Sequence, residues 1–400
     1  MADGGPHDVA VGRCVMPAQP QSYQKHDSFA GMRHRLRLPQ DVEARIRRVE
    51  PRLDSTPLTA DAKAVVRTAC RELLGGASPH AGCPPFTLHS YVREEISRLT
   101  DEELPRYLFY RFRYETSPRR HLVDDFPPCL QIEPTSVCNY RCVFCYQQDP
   151  GFSRRTSGYM GSMALELFTR LIDQAEGRCE AVTLASRGEP LLCPAIDRML
   201  AYVRGKFLAL KMNTNASLLH EAHCHAILQA GVNLLVFSVD AADEPAYSRL
   251  RVGGDLERVR RNLERFQAIR AKHYPHARTI TRISGVKVEG TPDLDRMEAV
   301  WGSLADQVAF VTYNPWDQTY ELPLHDLTAP CSELWLRMFV WWDGTVNPCE
   351  NDYKSTLRVG DANEQGLSEL WRSAAYQRLR EQHLAAKRSQ RSPCNRCPVI

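Results

Sequence analysis

An α/β fold, with a parallel sheet curling into a partial (β/α)6 barrel, is predicted by three features of the sequence. From about residue 128 to 315, short apolar runs alternate with helical patterns through six strands. Strands that alternate with helices in this way pair in parallel through right-handed crossovers. A tight group of cysteines, Cys138, Cys142 and Cys145, directly follows the first of those strands, on the rim where sites in such sheets sit. Beyond Pro330 the pattern changes to a hairpin and a helix that lead to a second cysteine set. The 400 residues accommodate one large domain or two modest ones. The chain divides into a flexible arm (1–40), a helical N-terminal extension (41–127), the barrel core (128–320) and a small C-terminal domain (321–400).

Each element has its own signal. Residues 1 to about 40 are rich in Gly, Pro, Gln, His and Asp and lack apolar periodicity, the mark of a flexible arm. Asp61 to Leu74 carries apolar positions at helical spacing, and Tyr91 to Tyr110 repeats the pattern around a capping signal at Thr100–Glu103. The arginines between Arg33 and Arg52 fit a solvated helix face better than a phosphate contact. In the core, strands are expected at Leu130–Val137, Ala181–Ser186, Leu208–Asn213, Leu234–Val239, Ile280–Val288 and Val308–Tyr313. Helices are expected at Ala164–Ala175, Pro194–Arg204, Glu221–Ala230, Asp255–Lys272 and Asp293–Leu304. The helix from Asp255 sets Leu256, Val259, Leu263, Phe266 and Ile269 on one face. Trp335–Trp342 reads as a strand, Asp343-Gly344 as a hairpin turn, Thr345–Cys349 as the return and Leu367–Leu384 as a helix.

Hydrophobic residues make up 43% of the chain and charged residues 25%, as in an ordinary globular protein. A formal net charge of +3 gives no reason to expect nucleic acid or membrane as a partner. The N-terminus lacks a basic segment followed by an apolar core, so no secretory signal is read. The apolar runs Leu234–Val239 and Phe339–Trp342 are too short to span a bilayer. A cytoplasmic, reducing location is therefore expected, where clustered cysteines point to metal ligation rather than disulfides. Of the 14 cysteines, Cys14, Cys70, Cys83, Cys129, Cys179, Cys193 and Cys224 are scattered singly and read as small buried hydrophobes.

The run Cys138-Asn-Tyr-Arg-Cys142-Val-Phe-Cys145 has the spacing C-x3-C-x2-C. Three thiolates from one loop grip a metal centre, yet they are one short of the four that close a structural zinc site or saturate a cubane cluster. An open coordination position suits chemistry more than scaffolding. A zinc site completed by a distant His, or three ordinary buried cysteines, are the plainer alternatives. With Phe144 at the aromatic position, the run resembles the C-x3-C-x-aromatic-C signature of the radical S-adenosylmethionine (SAM) superfamily.

The resemblance implies a [4Fe–4S] cluster on Cys138, Cys142 and Cys145, whose open iron chelates SAM through its amino and carboxylate groups. One-electron reduction then yields methionine and a 5′-deoxyadenosyl radical that abstracts a substrate hydrogen. A buried barrel rim would shield such a radical. Further motifs follow in the family's order. Gly188-Glu189-Pro190 resembles the motif that receives the SAM ammonium. Asn213-Thr-Asn215 ends the third strand, where polar residues meet ribose or methionine. Ser238-Val-Asp240 ends the fourth, and Arg251 completes a Tyr-x3-Arg phrase from Tyr247. In similar enzymes a Ser and an Arg at such places bind ribose and the SAM carboxylate. Arg187 stands where many relatives carry Gly, which questions the local geometry of the SAM loop. Taken singly, Ser238, Asp240 and Asn215 read equally as caps and turns and Arg251 as a surface ion pair. Their order behind the cysteine loop favours the functional reading.

Cys331 is followed after twelve residues by Gly344-Thr-Val-Asn-Pro-Cys349, and later by Cys394-Asn-Arg-Cys397. Four thiolates suit either a saturated [4Fe–4S] cluster or tetrahedral zinc. The arrangement resembles the twitch domain, a shortened form of the SPASM auxiliary-cluster domain of the same superfamily. Because the sequence stops three residues after Cys397, two clusters in all are expected. A cluster saturated by thiolates moves electrons rather than binding substrate. Trp335, Phe339, Trp341 and Trp342 are expected to pack this domain onto the barrel.

Twitch-bearing relatives oxidise a secondary alcohol of an aminocyclitol or a protein side chain, and SPASM relatives modify ribosomal peptides. The helical N-terminal region lacks the three alternating strands of a peptide-binding winged helix. The favoured reaction is therefore two-electron oxidation of a carbinol C–H on a sugar, nucleotide-sugar or aminocyclitol. Peptide or protein side-chain maturation, radical epimerisation with Cys193 as hydrogen donor, and a non-enzymatic zinc or iron–sulfur protein are the alternatives. Arg282, Lys287, Tyr313 and Asn314 are candidates to line the substrate cavity, with no base assigned. The expected partners are a carbohydrate-like small molecule and, as the family implies, a low-potential donor of the flavodoxin or ferredoxin type.

Overall fold

The computed structural model describes residues 22, 29–35, 41–78, 84–289 and 291–400. The N-terminal part contributes β1 (Phe29–His34), α1 (Val42–Val49), α2 (Ala60–Leu73), α3 (Ser90–Ser97) and α4 (Leu104–Arg120). Next come β2 (Cys129–Ile132), β3 (Arg141–Cys142), α5 (Pro150–Ser153), α6 (Leu165–Ala175), β4 (Ala181–Leu184) and α7 (Ile196–Tyr202). These are followed by β5 (Ala209–Thr214), α8 (Glu221–Ala230), β6 (Leu234–Ser238), α9 (Glu244–Leu250), β7 (Arg251–Val252) and α10 (Leu256–His273). The barrel part ends with β8 (Ile280–Lys287), α11 (Leu294–Trp301) and β9 (Gln307–Thr312). The C-terminal part holds α12 (Glu333–Leu336), β10 (Arg337–Val340), β11 (Thr345–Asn347), β12 (Gly360–Asp361), α13 (Leu367–Trp371) and α14 (Ala374–Leu384).

One ten-stranded sheet runs in the order β1-β9-β8-β6-β5-β4-β2-β10-β11-β12. Its middle is the expected series of six parallel strands, β2, β4, β5, β6, β8 and β9, each beside its neighbour in sequence. Side chains alternate along each strand. In β5, Leu210, Met212 and Thr214 are buried towards the helices, and Ala209, Lys211 and Asn213 lie on the other face. On β6, Phe237 packs edge-on against Phe266 of α10, which marks the helix side. Leu234 and Val236 instead join Ile280 of β8 in a small cluster of their own inside the curl.

The curl is visible at the N-terminal strand ends. Arg337 of β10 donates to the Tyr114 hydroxyl at 3.0 Å, and the Arg282 guanidinium of β8 lies 5.6 Å from the Tyr91 ring centre. Arg111 of α4 sits between them, over both Tyr91 and Tyr114. Strands four places apart from β8 to β2, and then β10, thus wrap around one helical plug, and the open end is the rim with the cysteine loop. The Thr100–Glu103 signal forms a reciprocal capping box ahead of α4: Thr100 N–H donates to Glu103 at 2.7 Å and Glu103 N–H to the Thr100 hydroxyl at 3.3 Å.

Several expectations need correction. The arm is not wholly flexible: Phe29–His34 pairs antiparallel with β9 and extends the sheet; residues 1–21, 23–28 and 36–40 lie outside the described residues. The arginine-rich helix is not simply solvated, because Arg45 is buried and donates to Asp101, Ile96 O and Leu99 O. Trp335 and Leu336 belong to a helical turn, and the strand starts at Arg337. The last helix is split at Ser373, whose hydroxyl caps α14 by accepting from Tyr376 N–H. The hairpin signal at Asp343-Gly344 holds, and Gly344 has a φ of 91°. Beyond the expectation, β10 adds in parallel to β2 and makes the C-terminal domain continuous with the barrel sheet. Trp335, Phe339 and Trp341 are buried at this seam. No helix among the described residues is long and apolar enough to cross a membrane.

Candidate active site

The cysteine loop leaves β2 and is pinned on three sides. Thr135 donates its hydroxyl to Gly161 O at 2.7 Å, and Ser136 donates to Tyr159 O at 2.7 Å. Gln147, just past the loop, donates to both Ser136 O (2.8 Å) and Arg187 O (2.5 Å). It thereby ties the cysteine loop to the loop after β4. Asn139, inside the motif, donates to the Ser217 hydroxyl and accepts from Asn215, each at 3.0 Å.

Cys142 and Arg251 face each other in the two-residue antiparallel ladder β3–β7. The Arg251 guanidinium reaches the Cys142 sulfur at 3.6 Å, lies 5.6 Å from the Phe144 ring centre, and pairs through Nε with Asp240. The other Asp240 oxygen accepts from Val286 N–H at 2.6 Å. Asp240 is fully buried with both oxygens engaged, so its place is behind Arg251.

The Gly-Glu-Pro loop lies directly against the cysteine loop. A Cβ on Gly188 would meet the Thr135 and Val137 carbonyl oxygens, the latter at 2.5 Å, so glycine is required by close approach of two backbones. Glu189 N–H donates to Val137 O at 2.9 Å. Its buried carboxylate accepts from Thr214 Oγ1 (2.6 Å), Asn215 N–H (2.7 Å) and Leu191 N–H (3.2 Å). Burial raises its pKa, and a carboxylate has acceptor capacity left for a cation. Asn213 faces the lumen with a buried Oδ1 that has no hydrogen-bond partner, as does the Ser186 hydroxyl. Ser238 closes β6 opposite Ser284 of β8 and is partly buried.

The structure thus brings Cys138, Cys142, Cys145, Phe144, Gly188, Glu189, Asn213, Asn215, Asp240 and Arg251 to one rim. Asn215 and Asp240 spend their side chains holding other members of the set. Arg187 does not distort the loop: it is not among the residues with positive φ. Its side chain turns the other way, clasping Glu133 with Nε (2.7 Å) and Nη2 (2.6 Å), donating to Tyr353 O (2.8 Å) and stacking 4.2 Å from the Trp341 ring centre.

The donor set fits a cationic cluster with SAM. Burial pushes the Cys138 thiol up to about 12 and raises Cys142 and Cys145 as well. Thiolates there are unfavourable without a compensating positive centre. The unpartnered Asn213 and Ser186 oxygens are free to meet polar groups of a ligand.

The second set also gathers. Cys331, Cys349, Cys394 and Cys397 are close enough that each charged thiolate would raise its neighbours. Burial is the larger cause, and it pushes Cys331 up to about 12. Buried Arg388 holds the terminal loop by donating to the carbonyls of Ala329, Cys394, Cys397 and Val399. Asn351 donates to the Cys397 sulfur at 3.3 Å, and Cys331 N–H donates to His383 Nδ1 at 3.1 Å. Burial depresses His383 to about 4, so its ring is neutral. Among the described residues no three His, Cys, Asp or Glu side chains are drawn in to the spacing of a single metal ion; in a cubane each thiolate meets its own iron.

Of the single cysteines, Cys70, Cys129, Cys179, Cys193 and Cys224 are buried, while Cys14 and Cys83 lie outside the described residues. Cys193 packs 4.0 Å from the Met199 sulfur on the helix side, away from the lumen. Of the proposed cavity residues, Arg282 faces the lumen, bonded to Gln307 at 2.6 Å. Lys287 has the opposite strand parity, is exposed, and donates to Pro292 O. Tyr313 donates to Asp317 and Asn314 accepts from Asn351. Sequence reasoning missed Lys211, Gln131 and Glu350. Lys211 was detectable as a charge within an otherwise apolar strand; Glu350 was hidden because it reaches the lumen from another domain.

A family model described as the radical SAM superfamily matches residues 132–296, and one described as an iron–sulfur cluster-binding domain, SPASM, matches 331–398. A tungsten-containing aldehyde ferredoxin oxidoreductase cofactor-modifying protein of Pyrococcus furiosus is 23% identical over 296 residues, spanning 62% of this chain and 81% of that protein. The solved structure of BtrN in complex with AdoMet and 2-DOIA aligns with a TM-score of 0.47 at 16% identity, over 69% of this chain and 94% of BtrN. Streptococcus suis SuiB bound to precursor peptide SuiA aligns with a TM-score of 0.48 at 16% identity, over 80% and 79% of the two chains. The two matched domains imply a [4Fe–4S] cluster with SAM and auxiliary iron–sulfur binding. The chain belongs to the radical SAM superfamily and carries an iron–sulfur cluster-binding domain of the SPASM type at residues 331–398.

Proposed function

We propose that the protein is an oxidoreductase that converts a secondary alcohol of a sugar, nucleotide-sugar or aminocyclitol to a ketone. Such an oxidation removes a hydrogen atom, a proton and one further electron. When bound and reduced by one electron from a low-potential donor, SAM on the first cluster would supply a 5′-deoxyadenosyl radical as hydrogen acceptor, the auxiliary cluster would accept the further electron, and the proton would pass to solvent. On this reading Cys138, Cys142 and Cys145 hold the first cluster, and Cys331, Cys349, Cys394 and Cys397 the second. Glu189 receives the SAM ammonium and Arg251, held by Asp240, lies towards its carboxylate. Gly188 allows the close approach, while Asn213, Asn215 and Ser238 shape the adenosine and methionine side of the rim.

The observation that carries the oxidation is the position of Glu350. It follows Cys349 directly, and its carboxylate accepts from lumen-facing Gln131 at 3.2 Å. This puts Cys349 next in sequence to a side chain that reaches the lumen, which supports an electron sink near a substrate held there. The test is an anaerobic incubation with SAM, reductant and a panel of sugars, nucleotide-sugars, aminocyclitols and peptides, read by mass spectrometry. A ketone formed in equal amount with 5′-deoxyadenosine, with deuterium carried over from the carbinol carbon, is the expected result. An epimer, or a modified peptide with no sugar or cyclitol product, would overturn the reading.

A further inference from the structure

Lys211 is the group in the lumen that the proposed chemistry does not use. It lies on the inner face of β5, in register with Thr183 of β4 and Leu234 of β6, two residues below the unpartnered Asn213. It makes no hydrogen bond or ion pair with any described residue. The charged and titratable groups that act on it most are Arg282 from β8, Arg337 from β10, Cys129 from β2 and Glu350 from the loop after β11. Arg282 donates to Gln307 and lies within the field of Glu95 and Glu94, while Arg337 donates to Gln131 and Tyr114 and lies within the field of Glu333 and Glu350. At the plugged end, Glu94 is bonded to His34 and Gln307, and Glu95 accepts from Tyr107. Lys211 thus faces two arginines and one acid, Glu350, inside the curl of the sheet. Burial first, and the two arginines next, depress Lys211 to about 8, as expected of a cation lacking a counter-charge.

We propose that the substrate carries an acidic oxygen group, a carboxylate or a phosphate, and that Lys211 binds it inside the lumen. This rests on the preceding reading in taking the lumen as the substrate cavity, and it narrows that reading. A sugar acid, sugar phosphate or nucleotide-sugar supplies Lys211 with a counter-charge, whereas a cationic aminocyclitol would be repelled by it. Lys211 is here a specificity residue, and the proposal assigns it no proton transfer.

The experiment uses the full-length reconstituted protein with SAM and no reductant, so that nothing turns over. Calorimetry compares glucose, glucosamine, glucuronate, glucose 6-phosphate and UDP-glucose as probes, on wild type, Lys211→Gln and Lys211→Arg. Iron content and thermal midpoint confirm that each variant is folded. At least one acidic probe is expected to bind about tenfold or more tighter than glucose and glucosamine, to lose about tenfold in Lys211→Gln, and to keep its affinity in Lys211→Arg. Competition by inorganic phosphate but not acetate identifies a phosphate; the reverse identifies a carboxylate. Equal binding of neutral, cationic and acidic probes, no binding of any acidic probe, or unchanged affinity in Lys211→Gln would each overturn it. In the separate turnover assay with reductant, acidic sugars that bind but give no ketone sink the oxidation reading alone, and oxidation of a neutral sugar with no acidic requirement sinks this inference alone.

Discussion

Arg251 stands opposite Cys142 in a two-residue ladder, with its guanidinium 3.6 Å from the cysteine sulfur and its Nε on Asp240. The arginine thus couples the cluster loop to the end of β6. Arg251→Gln leaves the fully buried Asp240 carboxylate without its cation, and losing one partner of a buried pair costs about 3–5 kcal/mol. The double variant Asp240→Asn/Arg251→Gln is expected to recover much of that stability in denaturant titrations. It is not expected to recover SAM affinity. Recovery of both would make Arg251 a structural residue only.

The Arg187–Glu133 pair is a separate stability element. It joins the loop after β4 to the C-terminal domain through Tyr353 O and the Trp341 face. Arg187→Met is expected to lower stability by about 3–5 kcal/mol, because Glu133 is buried and pairs with no other cation among the described residues. Glu133→Gln/Arg187→Met is expected to regain part of it. SAM affinity should change little in the double variant, since the Arg187 side chain points away from Glu189.

Gly188→Ala tests the contact between the two loops. The added methyl would sit 2.6 Å from the Ser136 carbonyl carbon and 2.5 Å from Val137 O, and backbone atoms cannot swing aside as a flexible side chain does. SAM binding is expected to weaken by about tenfold or more, with the iron of the second cysteine set unaffected. Unchanged SAM affinity would show that the loops separate at little cost.

Lys211 also carries a pH signature. Its folded pKa of about 8 lies below the ordinary 10.5, so the folded state disfavours its charged form. The resulting cost is fully present below pH 8 and is relieved as pH rises towards 10.5, because the unfolded chain then binds more protons than the folded one. Lys211→Met is expected to be more stable than wild type at pH 7, with the gap shrinking by pH 10. Denaturant midpoints at the two values measure it, and a gap that does not shrink would contradict the lowered pKa.

The barrel strands were legible because their signals are local: Leu234–Ser238 is a short apolar run bounded by turn residues, and Asp255 caps a helix with a clear apolar stripe. The first cysteine loop was legible by spacing alone. What the sequence concealed depends on which strands become neighbours. Phe29–His34 contains a glycine and two basic residues and no β-branched residue to announce a strand, and it is stabilised by β9, far along the chain. Trp335 and Leu336 sit in an apolar run that suits a helix or a strand equally, and packing decides. Glu350 and Gln131 meet across 219 positions, so no local pattern could place an acid of the C-terminal domain in the lumen. Arg187 raised a question about backbone conformation, and its buried acid partner, 54 positions away, provided the answer.

The central claim is tested most directly by anaerobic reconstitution with iron and sulfide, followed by SAM and dithionite. About eight irons per chain and formation of 5′-deoxyadenosine are expected, falling to about four irons in Cys349→Ala with SAM cleavage retained but the ketone lost. No SAM cleavage by the fully loaded protein, with substitutions at Cys138, Cys142 and Cys145 affecting only folding, would contradict it.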